Sequence, residues 1–144
     1  MADRALSHLV GRAFLLGAAC GGRSMAGPAA VALTAGPGRA RRLIVAAAGA
    51  ELVADKLPGV PSRLSPPALA GRLVTAGSSA AALARRNGAS AALPVLVAVS
   101  GALAAGVAGA RWRAWAARGP LPPVAAAVLE DLAVVGAAAA AVRP

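Results

Sequence analysis

Between Arg86 and Arg111 the chain reads NGASAALPVLVAVSGALAAGVAGA, residues 87–110, an uncharged run that includes Leu93, Val95, Leu96, Val97, Val99, Leu103 and Val107. About 20 residues of helix cross a ~30 Å hydrocarbon core, so this run predicts a membrane span over 89–110. Working outward, the stretch between Arg118 and Arg143 is interrupted only by Glu130 and Asp131 and predicts a last span over 121–142. Between Arg63 and Arg85 the sole charge is Arg72, giving a span over 67–84. A shorter apolar segment, 43–57, carries Glu51, Asp55 and Lys56 towards its end.

The first apolar stretch, between Arg4 and Arg39, is interrupted only by Arg12 and Arg23. As one helix it would run about 50 Å at 1.5 Å per residue, beyond any bilayer core. Gly21-Gly22-Arg23 and Gly27-Pro28 supply a break, so the segment 7–35 reads as two half-helices or a span with a re-entrant piece; a kinked span with a frayed end is the plainer alternative. Irregular backbone survives at membrane depth only where protein or a wet cavity satisfies it, and broken segments of this kind lie at the binding sites of transporters. The expected fold is all-α: a single domain over 1–144, an integral membrane helical bundle of about four to five spans.

Composition agrees. Of 144 residues, 58% are apolar, 2% aromatic and 14% charged, with a net charge of +10. A soluble domain carries about 25% charged residues, and disordered chains are poor in apolar ones. The 17 Gly and 11 Pro follow no period, which excludes a collagen-like chain, and no heptads are sustained. Cys20 is the only thiol and His8 the only imidazole, so no disulfide, metal cluster or Ser-His-Asp triad is expected. No cofactor is expected either. A secretory leader would run from Arg4 through Ala13–Ala19 to Cys20, but Arg12 splits its apolar core. The dominance of Arg and Ala points to a GC-rich bacterial genome and carries no functional weight; the apolar segments lead to the expectation of a multi-pass protein of the bacterial cytoplasmic membrane. With five crossings, seven cations oppose six across the bilayer, and the positive-inside rule leaves orientation open.

Trp112 and Trp115 stand among arginines in Arg111-Trp112-Arg113-Ala114-Trp115. Directly after the cleanest span, such residues anchor a helix at the headgroups; nucleic acid is not an expected partner. Gly101, Ala105 and Gly109, like Gly17 and Gly21, recur every fourth position, which lets helices approach closely.

Four of the five acids, Glu51, Asp55, Glu130 and Asp131, lie within or at the end of apolar segments. An ionised acid near a helix centre costs about 2.5–3.5 kcal/mol on insertion scales, and each Leu or Val returns only ~0.3–0.6. The leucines and valines of the last span therefore fall short of the cost of Glu130 and Asp131. Glu51 and Asp55, four apart, share a helix face. Adjacent Glu130 and Asp131 point about 100° apart, so one of them is expected to join the centre directly. Arg23, Lys56 and Arg72 are the available cations. The expectation is an internal polar cluster of Arg23, Glu51, Asp55, Lys56, Arg72, Glu130 and Asp131. It reads either as a working centre or as permanent salt bridges that set helix register.

Three stretches resemble a family of small bacterial membrane proteins known as domain of unknown function four-one-two-six. They are the glycine-rich turn Gly17–Pro28 with Arg23, the run Glu51-Leu-Val-Ala-Asp55-Lys56-Leu-Pro58-Gly59-Val60, and Leu129-Glu130-Asp131-Leu132. The chain departs from that family at Pro61, where an acid is usual. It departs again at Arg111 and Trp112, near a usual histidine, and at Leu121-Pro122-Pro123, which lacks an Asn-Trp pair. The resemblance implies a membrane location and marks Arg23, Glu51, Asp55, Lys56, Glu130 and Asp131, without an activity.

Two functions stay open on these residues. One is a permease or channel-like protein passing a small solute or ion, coupled to protons through the carboxylates; at this length the path would need a homo-oligomer or a very compact bundle. The other is a non-transporting scaffold or accessory subunit. An enzyme is not expected: Glu51 and Asp55 suit acid–base chemistry, but Ser62 and Ser65 have no histidine near them in sequence.

Overall fold

The computed structural model describes residues 2–54, 65–119 and 121–143. Among these the chain is helical, with no strand: α1 (Ala2–Gly22), α2 (Ala26–Leu33), α3 (Arg39–Ala54), α4 (Pro66–Arg86), α5 (Ala92–Ala116) and α6 (Pro123–Val142). Three stretches, Arg4–Gly22, Ala92–Ala116 and Pro123–Val142, are long and apolar enough to cross a membrane. The first apolar stretch is broken, as α1 and α2, at Arg23-Ser24-Met25. Prolines start α4 and α6, where a missing N–H costs nothing.

α1 is the central helix and packs on α4, α5 and α6. Its closest neighbour is α5, because both helices present small residues at the crossing. A Cβ on Gly17 would overlap the carbonyl of Ala98, one on Gly21 that of Ala102, and one on Gly101 would lie 2.7 Å from the carbonyl oxygen of Phe14. Ala13, Ala19, Ala76, Ala80, Ala98 and Ala102 are fully or almost fully buried. The large side chains point outward instead: Leu96 and Leu103 of α5, and Val124, Leu132 and Val135 of α6, are exposed. Small residues inside and leucine or valine outside reverse the soluble pattern. They suit a bilayer, where helices associate by close packing rather than by hiding apolar surface from water.

Contacts at the helix ends fix their relative directions. Arg12 near the start of α1 donates from Nε to the carbonyl of Ala141 at the end of α6, at 2.7 Å. Arg86 at the end of α4 donates to the carbonyl of Val31 and to Thr34 Oγ1, both at 2.8 Å, at the end of α2. Leu9, Val31, Leu83, Ala84 and Ala141 belong to one buried cluster, with Ala89 and Ala91 against it. The start of α1 and of α5 and the ends of α2, α4 and α6 therefore meet at one end of the bundle. α1 runs inward from that end and α2 returns to it, so that the two form a helical hairpin. Where the two pass, a Cβ on Gly27 would overlap Cys20 Sγ and sit 3.0 Å from Ser79 Oγ. α3 then lies antiparallel to α2, the one described helix it packs on.

Two glycines of α1 test this packing against intrinsic propensity. Gly11→Ala meets nothing within 4 Å and is expected to leave the thermal midpoint in detergent level or raised, since Ala favours helix by roughly 0.5–1 kcal/mol. Gly17→Ala is expected to lower stability by about 1–3 kcal/mol, the usual cost of overpacking.

Candidate functional site: a charged junction at the helix break

A break in a helix strands its last carbonyls and, on the far side, its first amides. In hydrocarbon each such group costs several kcal/mol unless the protein supplies a partner. Here the partners are charged side chains from two other helices, and a third helix pairs with the linker arginine.

At the end of α1, Arg72 of α4 donates from Nη1 to the carbonyl of Gly21 at 2.5 Å, with that of Gly22 at 3.4 Å. Arg72 is buried, 5% exposed, and its cation meets the negative end of the α1 dipole. At the start of α2, Glu51 of α3 accepts from both free amides: Ser24 N–H to Oε1 at 2.7 Å and Met25 N–H to Oε2 at 2.8 Å. A carboxylate is the group that the positive end of a helix favours. Between them, the Arg23 guanidinium grips Asp131 of α6, Nη2 to Oδ1 at 2.5 Å and Nε to Oδ1 at 3.0 Å. Two guanidiniums and two carboxylates thus surround the break, formally neutral as a set.

Of the other expected members, Glu130 lies elsewhere. Glu130 meets Arg113 of α5, Nε to Oε2 at 3.6 Å, and lines a groove of about 510 Å³ with Gly109 and Trp112, between α1, α5 and α6. Asp131 lines a second groove of about 470 Å³ between α2, α3 and α6, together with Arg23 and Glu51. Val134 borders both. The adjacent carboxylates thus serve different sides of α6, in keeping with their 100° offset. Asp55 and Lys56 lie outside the described residues. Trp112 donates from Nε1 to the carbonyl of Ala126 at 3.2 Å and packs on Trp115 at a centroid distance of 5.2 Å. Trp112 therefore ties α5 to α6, while Trp115 is exposed, as an interfacial anchor would be.

Arg12 and Arg86 are the functional side chains that sequence reasoning passed over. Like Arg72, each satisfies the carbonyl end of another helix. Nothing in the spacing of charges reveals such pairing, although an arginine inside an apolar run, as at Arg12, is a signal that a partner exists. Among the described residues, no group of three or more His, Cys, Asp or Glu is placed to hold a metal ion. Compared with known protein families, characterised proteins and solved structures, the chain matches none.

Breaking the Arg23–Asp131 pair from one side leaves a charge stranded in the bundle. Arg23→Met is expected to destabilise by about 3 kcal/mol. Adding Asp131→Leu is expected to restore most of that loss, because the stranded carboxylate goes with its partner. Thermal unfolding in detergent reads the four-corner cycle, and simple additivity would contradict the pairing.

Proposed function

We propose that this chain is a multi-pass protein of the bacterial cytoplasmic membrane that acts as a non-transporting scaffold or accessory subunit, its charged cluster being structural. The observation that carries this reading is the use of the charges. Arg72 and Glu51 are spent on the two faces of the helix break, and Arg23 on Asp131. Moving Arg72 or Glu51 to handle a solute would expose backbone groups in the hydrocarbon, and moving Arg23 would strand the Asp131 carboxylate. A single observation favours the permease reading: Arg23, Glu51 and Asp131 line a groove, and Asp131 keeps 27% of its side chain exposed.

Proteoliposomes separate the two. Flux of protons and small solutes no greater than in protein-free vesicles, with Glu51→Gln lowering thermal stability, is expected. A saturable flux that Asp131→Asn abolishes at unchanged stability would establish the permease instead.

The proposal includes an orientation. With α1 and α2 as a hairpin that enters and leaves on one side, Arg4, Arg12, Arg39, Arg41, Arg42, Arg85, Arg86 and Arg143 gather at one end, and Arg111, Arg113 and Arg118 at the other. The positive-inside rule then puts both termini in the cytoplasm. In a Cys20→Ala background, Gly119→Cys is expected to react with an impermeant maleimide in intact cells, and Gly38→Cys only after the cells are opened. The opposite pattern would reverse the orientation.

We also propose kinship with the family domain of unknown function four-one-two-six. Support comes from the three stretches that resemble it, whose Arg23, Glu51 and Asp131 converge on one junction.

A further inference from the structure

The groove between α2, α3 and α6 has a direction. Its deep end holds Arg23, Glu51 and Asp131, each already engaged with protein. From there α2 and α6 run side by side towards the arginine-rich end, and the groove closes on Leu33, Val142 and Arg143. Along α6, from Asp131 to Val142, it is about 17 Å long at 1.5 Å per residue, close to half of a ~30 Å hydrocarbon core. Its walls between those ends are alanine and valine, among them Ala30, Val135 and Ala138.

The third wall carries a charge at the mouth. On α3, Arg41, Ile44, Ala48 and Glu51 are half-buried, while residues 39, 40, 42, 43, 45–47, 49 and 50 are exposed. Their spacing of three, four and three marks one helix face, and Ala48 and Glu51 place that face on the groove. Arg41 stands on the same face, two turns outward of Ala48. Arg143, the residue that ends α6, faces the groove at the same level of the bundle. Both carboxylates that line the groove lie at its deep end. The mouth is therefore cationic, and the channel behind it is apolar and one bilayer leaflet long.

We propose that this groove seats one acyl chain of an anionic phospholipid, whose phosphate is held by Arg41 and Arg143. The inference rests on the chain residing in a bilayer and is independent of whether it transports anything. A guanidinium pairs with phosphate through two parallel N–H bonds, and the apolar channel selects a lipid over a free anion.

Native mass spectrometry of the full chain in detergent, with phosphatidylglycerol and phosphatidylcholine of equal chain length, tests the proposal. One phosphatidylglycerol is expected to be retained in preference to phosphatidylcholine by on the order of twentyfold, at about fivefold per arginine beside an anionic headgroup. Arg41→Gln with Arg143→Gln is expected to abolish that preference. Ala138→Leu, which narrows the channel, is expected to lower retention of both lipids. Arg111→Gln with Arg118→Gln, at the opposite end and both exposed, is expected to change nothing. Equal retention of the two lipids by the unaltered chain would overturn the proposal. A preference that survives loss of Arg41 and Arg143, or that inorganic phosphate displaces as well as lipid does, would also overturn it. A chain that stays soluble without detergent would instead overturn the membrane reading beneath it.

Discussion

A helix that stops inside a packed bundle leaves polar backbone groups in need of partners, and in this protein that constraint organises the rest. The stop at Arg23-Ser24-Met25 exposes the carbonyls of Gly21 and Gly22 and the amides of Ser24 and Met25. α4 supplies a cation for the first pair and α3 a carboxylate for the second. Each helix dipole thereby meets a charge of the opposite sign. The linker arginine ties the assembly to α6. Five helices, α1, α2, α3, α4 and α6, are thus held to one point by charged side chains.

The same solution recurs at the bundle's end, where Arg12 serves the last turn of α6 and Arg86 that of α2. Helix-to-helix arginine capping thus serves the carbonyl ends of α1, α2 and α6.

Much of this was legible in the sequence. Charge-free runs gave α5 and α6, and the length of the first apolar stretch, with its glycines, gave the break between α1 and α2. The cost of Glu51 and Asp131 in hydrocarbon demanded partners, and Arg23 and Arg72 were the cations at hand. What the sequence did not convey was the kind of partner. Arg72 and Glu51 bind backbone, not each other, because the unsatisfied groups of a broken helix do not appear in a list of side chains. Glu130 turned to Arg113 because α6 offers its two adjacent acids to different neighbours. The positive-inside count is balanced for five full crossings, and would tilt if the hairpin of α1 and α2 entered and left on one side.

A scaffold and a permease make different demands on these contacts, since a permease must release them in turn. The central claim is that the Glu51 carboxylate is what closes the amides at the start of α2. Hydrogen exchange resolved to residues 19–30 in detergent tests it most directly. In Glu51→Ala protein, protection of the Ser24 and Met25 amides should fall towards that of an open turn, while α5 stays protected. Unchanged protection at those two amides would contradict the claim.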